Sequence, residues 1–172
     1  MPSEPLHLCK EDLQVIVFGF STSSSAATLP LNLETNTSEL GVDGQIASFV
    51  LPLGMTINMD GTAIMQVIAT LFVAGCGGFD VSVFQLCVIM VLALIASMGT
   101  PAAPGAGAVI LFTILSGTGF TNDAAMVAYA LILAINRPIE MLVTSLNVTG
   151  DAVAAIAVAK SEGKLNTELY NA

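Results

Sequence analysis

No lysine or arginine occurs between Glu11 and Asn136, and no charged side chain of either sign between Val81 and Asn122. A soluble domain needs charge spread over its surface, whereas chain embedded in a bilayer does not. Only four basic residues occur, Lys10, Arg137, Lys160 and Lys164, too few for a nucleic-acid partner. The three cysteines, Cys9, Cys76 and Cys87, are too scattered for a metal site or a disulfide framework and read as small apolar packing residues. The one histidine, His7, stands in a polar opening segment with no motif around it. That opening, MPSEPLHLCKEDL, lacks the basic start, apolar stretch and cleavage site of a signal peptide. What remains is apolar. Hydrophobic residues are 55% of 172, and mean hydropathy is +0.85. The composition predicts a membrane protein, with length for about five or six bilayer-long segments.

The net charge of −9 is dispersed, with Glu34, Glu39 and Asp43 in one polar connector and Glu162 and Glu168 near the C-terminus. Lys10, Lys160 and Lys164 flank the apolar block, so the positive-inside rule predicts a multi-pass protein with both ends of the segment cytoplasmic. Asn36-Thr-Ser matches a glycosylation sequon, a match common by chance.

Along the chain, six to eight helical pieces are expected, several too short to span a bilayer. A run from Leu13 meets the tract Ser21-Thr-Ser-Ser-Ser25, resumes at Ala26 to Leu33, and gives way to a connector over Glu34 to Gly44. The run from Ile46 breaks at Asn58-Met-Asp60-Gly-Thr62 and resumes to Ala74. The run from Val81 breaks at Ser97 to Gly107 and resumes to Leu115, and a last one extends from Ala124 to about Lys160. Half-length apolar segments meeting at a Ser-, Gly- or Pro-rich tip cannot expose that tip's backbone to lipid, so they read as re-entrant helical hairpins. The pattern occurs twice, tip then polar-bearing helix. Such paired, interrupted segments point to a transporter site in inverted repeat.

Asn136, Glu140, Thr144, Asn147 and Asp151 are spaced 4, 4, 3 and 4 apart. At about 100° per residue they share roughly 80° of arc on an otherwise apolar helix. A stripe with two carboxylates predicts a bundle interior that holds cations or a cationic substrate group. Asn58 and Asp60, at an unwound turn, supply oxygens suited to a hard cation such as sodium, although both could simply cap the following half-helix. The two tips would present free N–H groups to a substrate carboxylate.

Four motifs in order, Ser23 to Pro30, Leu51 to Ala63, Pro104 to Ala108 and Asn147 to Asp151, resemble the dicarboxylate/amino acid:cation symporter family. The likeness covers about Phe18 to Asp151. It implies an all-α membrane protein: re-entrant hairpin 1 over 1–43, a broken transmembrane helix over 44–79, and re-entrant hairpin 2, the gate, over 80–122. A final transmembrane helix, kinked near Pro138, covers 123–160, and a polar tail covers 161–172. The N-terminal scaffold helices on which the family forms homotrimers are absent from this sequence. Gly54, Asn58, Asn147 and Asp151 match one sodium site. Thr56, Ser97, Met98 and Thr100 match a second, and Asn58, Met59 and Asp60 part of a third. Ser24, Ser25, Thr62, Gly107, Glu140, Val143, Thr144 and Asn147 match substrate-contacting positions. Sodium is the implied coupling ion, with no organic cofactor and no enzyme activity.

The departures bear on substrate. Val143 stands where the family's acidic amino acid transporters carry an arginine, and a buried acidic side chain facing valine lacks its charge partner. Glu140 replaces the aspartate that holds the substrate ammonium, Asn136 replaces a common aspartate, and Arg137 is expected to pair with Glu140 at i,i+3 rather than to serve as a displaced carboxylate partner. The expectation is a sodium-coupled symporter of a small neutral amino acid. The alternatives are a dicarboxylate or acidic amino acid symporter, and a truncated, non-transporting fragment. An intramembrane aspartyl protease is disfavoured because Val148 interrupts its Gly-x-Gly-Asp signature.

Overall fold

The structure, a computed structural model, describes residues 11–170. His7, Cys9 and Lys10 lie outside the described residues. The described residues form nine helices and no strand. Hairpin 1 is α1 (Leu13–Thr22) and α2 (Ser25–Ser38), and the broken helix is α3 (Gly44–Ile57) and α4 (Asp60–Cys76). Hairpin 2 is α5 (Val83–Met98) and α6 (Ala106–Thr118). Then come α7 (Asp123–Ile135), α8 (Arg137–Ser161) and the short α9 (Thr167–Tyr170).

Local chemistry sets these boundaries. Ser24 caps α2 by accepting from the Ala27 N–H at 3.2 Å, and Asp43 and Asn122 cap α3 and α7 in the same way. Ser82 and Gln85 form a capping box on α5. The turn before α6 passes through Gly105 at φ +84°, a conformation that favours glycine. The connector predicted from Glu34 is shorter than expected. α2 continues to Ser38 because the Thr37 and Ser38 hydroxyls bond carbonyls of their own helix. The bend predicted near Pro138 falls at Asn136, between α7 and α8, where proline sits in a first turn that needs no N–H from it.

α8 is the central element, packed against α1, α2, α3 and α4. One apolar cluster, including Ile89, Leu111, Leu115 and Ala125, joins hairpin 2 to α4 and α7; another, including Leu51, Ala152 and Ala155, joins α3 to α8. The tail is not free. Leu165 bridges Val42, and the Asn166 N–H bonds the Gly41 carbonyl at 2.8 Å. The outer surface is strongly apolar, with Phe49, Val83 and Phe84 each more than two-thirds exposed. Cys76 and Cys87 belong to it, exposed rather than packed as expected, because both lie on outward helix faces. Gly44–Cys76 and Arg137–Ser161 are long and apolar enough to cross a membrane. A surface of this kind suits hydrocarbon.

Candidate functional site

All five residues of the predicted α8 stripe are buried: Asn136, Glu140, Thr144, Asn147 and Asp151. The chain thus turns its most polar helical face inward, so it is not a solvated face. At its centre, Asn147 repairs the break between α3 and α4. Its Oδ1 accepts the Gly61 N–H at 2.9 Å, one of the donors left over at the start of α4, and its Nδ2 donates to Thr62 Oγ1 at 3.1 Å and Met59 Sδ at 3.3 Å. A methyl group at Gly61 would meet the Val143 carbonyl at 2.9 Å, so α4 approaches α8 this closely only as glycine.

One turn along, Asp151 Oδ1 accepts from Asn58 Nδ2 at 2.9 Å. Gly54 lies against the same carboxylate, where an added Cβ would fall 2.6 Å from Oδ1. Of the four residues expected to share a sodium site, Gly54 and Asn58 meet the buried Asp151 carboxylate, while Asn147 spends its amide on the break between α3 and α4. Asp151 is 2% exposed and has a single neutral donor, and among the described residues no cation pairs with it. Asp60, expected to supply an oxygen to a cation at the break, sits within electrostatic reach of Asp151 but is exposed. It points outward because Asn58 and Met59 occupy the inner side of the break.

The other expected ion ligands are less convergent. Ser97 and Thr100 are buried, with hydroxyls spent on the Leu94 and Ala96 carbonyls. Thr56 and Met98 are exposed, the Thr56 hydroxyl bonding Leu53. α3 and α5, which carry these residues or end beside them, are in contact.

Between the two tips and α8 lies a narrow cleft of about 30 Å³. Ser25, Thr62, Gly107, Glu140, Val143, Thr144 and Asn147 all line it, as predicted for substrate contact, together with Met59 and Thr100. Ser24 does not. Its hydroxyl instead donates to the Ala102 carbonyl at 2.8 Å, which also accepts the Ala26 N–H at 3.3 Å, so the hairpin tips meet there. The Gly105 N–H bonds Glu140 Oε2 at 3.1 Å. Arg137 lies 3.6 Å from the same oxygen, the i,i+3 pair expected, and its other amine reaches the Thr22 carbonyl at 3.5 Å.

Sequence reasoning passed over Gln66. It is wholly buried on α4, and its Nε2 donates to the Gly107 carbonyl at 3.3 Å. Thr62, Gln66 and Thr70 stand at i, i+4 and i+8, a second polar stripe that the same spacing test would have found. The Asn36 sequon carries nothing, since Asn36 is buried and its amide is bound within α2.

The profile of the sodium:dicarboxylate symporter family matches residues 2–161. Among curated relatives, excitatory amino acid transporter 1 of Rattus norvegicus is 38% identical over 143 residues, 83% of this chain and 26% of the relative. Excitatory amino acid transporter 5 of Homo sapiens is 36% identical over 151 residues, 88% of this chain and 26% of the relative. The chain spans about a quarter of the length of the relatives it matches.

Proposed function

The chain belongs to the sodium:dicarboxylate symporter family, and from that premise we propose that it forms the transport core of a sodium-coupled symporter for a small neutral amino acid. The observation that carries this reading is Asp151, a buried carboxylate with one neutral donor beside a cleft lined by polar side chains from both tips and α8. An isolated buried charge costs several kcal/mol and is tolerated when a cation offsets it. The residues fit sodium by donor type. The Asp151 carboxylate is the hard oxygen donor that sodium requires, with Gly54 and the Asn58 amide beside it, and Asp60 adds long-range negative charge.

In the cleft, Glu140 holds the substrate ammonium, the backbone of the two tips at Ser25 and Gly107 receives its carboxylate, and Val143 receives a side chain without charge. Glu140 already accepts the Gly105 N–H, so an arriving ammonium competes with the hairpin 2 tip for that oxygen. Occupancy and gate position are thereby linked. The core, hairpin 2 serving as its gate, carries this cargo across the bilayer by elevator-type alternating access, with the segment's ends cytoplasmic and the complete transporter a homotrimer in the cell membrane. One net charge moved through 100 mV supplies about 2.3 kcal/mol, near a fiftyfold gradient.

A second reading, an acidic or dicarboxylate substrate, is favoured by Arg137, whose half-exposed guanidinium sits beside Glu140 next to the cleft. Uptake into proteoliposomes separates the two. Sodium-driven accumulation of alanine or serine, outcompeting aspartate and succinate, is the expected result; sodium-independent uptake would sink the coupling. Val143→Arg should move preference toward acidic substrates by at least about tenfold, the effect of one desolvated charge partner. No change would mean that another group reads the substrate side chain.

A further inference from the structure

A second cavity, of about 280 Å³, shares Gly105 and Glu140 with the cleft and is otherwise walled by different residues. Pro104, Ala108, Val109 and Leu133 give it apolar sides, and Asn136 and Arg137 complete its polar one. The two volumes differ in what they admit. The cleft, at about 30 Å³, has room for a water or two, whereas the second cavity is close to the small end of ligand sites, about 300 Å³. With the hairpin tips joined at Ala102, the space for a small amino acid beside the tips is therefore this side cavity.

Its polar wall carries one charge of each sign. Arg137 is half-exposed, and both of its contacts are long, 3.6 Å to Glu140 Oε2 and 3.5 Å to the Thr22 carbonyl. A guanidinium has five N–H donors in a rigid fork, so most remain to be used. Glu140 accepts the Gly105 N–H on Oε2, which leaves Oε1 for a ligand. Asn136 is 7% exposed and its Nδ2 has no acceptor, one more unmet donor in the same wall. A lone anion drawn to Arg137 would meet the Glu140 carboxylate, and a lone cation drawn to Glu140 would meet the guanidinium. A ligand bearing both charges on neighbouring atoms escapes either penalty. The geometry points to a second amino acid station in this cavity: Arg137 and Asn136 take the α-carboxylate, Glu140 takes the ammonium, and the apolar sides cover a small uncharged side chain. The station rests on the proposed transport reading, in which Glu140 also holds the ammonium inside the cleft. Sharing that carboxylate makes the two sites successive positions of one cargo, captured beside the tip and then passed inward. Arg137 is thus a capture residue, whereas Val143 reads the side chain only after the cleft widens.

Leu133→Cys, at a residue 45% exposed, places a thiol in the cavity wall. The test is the rate at which a small water-soluble thiol reagent labels it in the purified protein, with the three native cysteines changed to serine. Choline replaces sodium, so that the cleft, filled together with sodium on the proposed reading, stays empty. L-alanine should slow labelling, and Arg137→Gln should raise the alanine concentration required at least about tenfold. Arg137→Lys keeps the charge and should recover part of that loss. N-acetylalanine, without the ammonium, and alaninamide, without the carboxylate, should leave labelling unchanged. Protection by chloride or succinate equal to that by alanine would overturn the zwitterion assignment, and unaltered protection in Arg137→Gln would overturn the site. Sodium-driven alanine uptake by the same protein in proteoliposomes keeps the two readings apart. Uptake without sodium-free protection sinks the station alone, and loss of both sinks the transport reading with it.

Discussion

The two hairpins have the same outline and opposite means of attachment. Hairpin 1 is fastened through polar groups. Asn32 reaches a carbonyl of α8, Ser145 of α8 reaches the Ile16 carbonyl at 3.0 Å, and Gly19 lets α1 lie against Val148 and Thr144. Its second arm buries Thr28, Asn32, Thr35 and Asn36. Hairpin 2 carries no charge and is held mainly by apolar packing of Ile89, Leu111, Ile114 and Leu115. Its polar ties to the other elements fall at Ala102, Gly105, Gly107 and Ala108, the last from the Tyr129 hydroxyl at 3.2 Å. Directional bonds fix an element in one pose, whereas apolar contact is non-directional and survives sliding. On the proposed transport reading, this contrast makes hairpin 1 the floor and hairpin 2 the part that moves.

That contrast can be broken from beneath. Gly54→Ala would force a methyl group onto the Asp151 carboxylate and should abolish sodium-driven uptake, by about a hundredfold or more. Asn32→Leu removes the tie of hairpin 1 and a partner of Asn36, and should lower stability by about 2 kcal/mol, read as a fall of several degrees in melting temperature. Ser24→Ala loses a helix cap and the tip-to-tip bond together, about 1 kcal/mol, and should speed thiol labelling of a cysteine placed at Ala103. Gln66→Leu should be the mildest, within about 1 kcal/mol in stability, because the amide leaves with its own unpartnered oxygen. It should quicken labelling on hairpin 2 and leave hairpin 1 unchanged. Equal labelling on both hairpins would erase the distinction.

Much of this was legible because apolar runs and their interruptions are local signals. The break at Asn58-Met59, the tips and the inward stripe of α8 need only spacing and composition. What escaped depends on who faces whom. Nothing near Asp12 marks it as buried, since its burial comes from α8 more than a hundred residues away. Asp60 reads like Asp151, yet one faces out and the other in, a matter of half a helical turn at a break. The acids and hydroxyls of Glu34 to Ser38 look like connector because composition does not register hydroxyls that bond their own helix. The docked tail rests on one strand-like bridge that no periodicity announces.

One carbonyl oxygen, that of Ala102, receives both the hydroxyl and the amide offered by the first hairpin's tip. Contacts that share an acceptor are lost together when it withdraws. A seal made this way has no half-fastened condition, so release at this seam should behave as a two-position latch: shut while that oxygen stays, fully parted once it leaves.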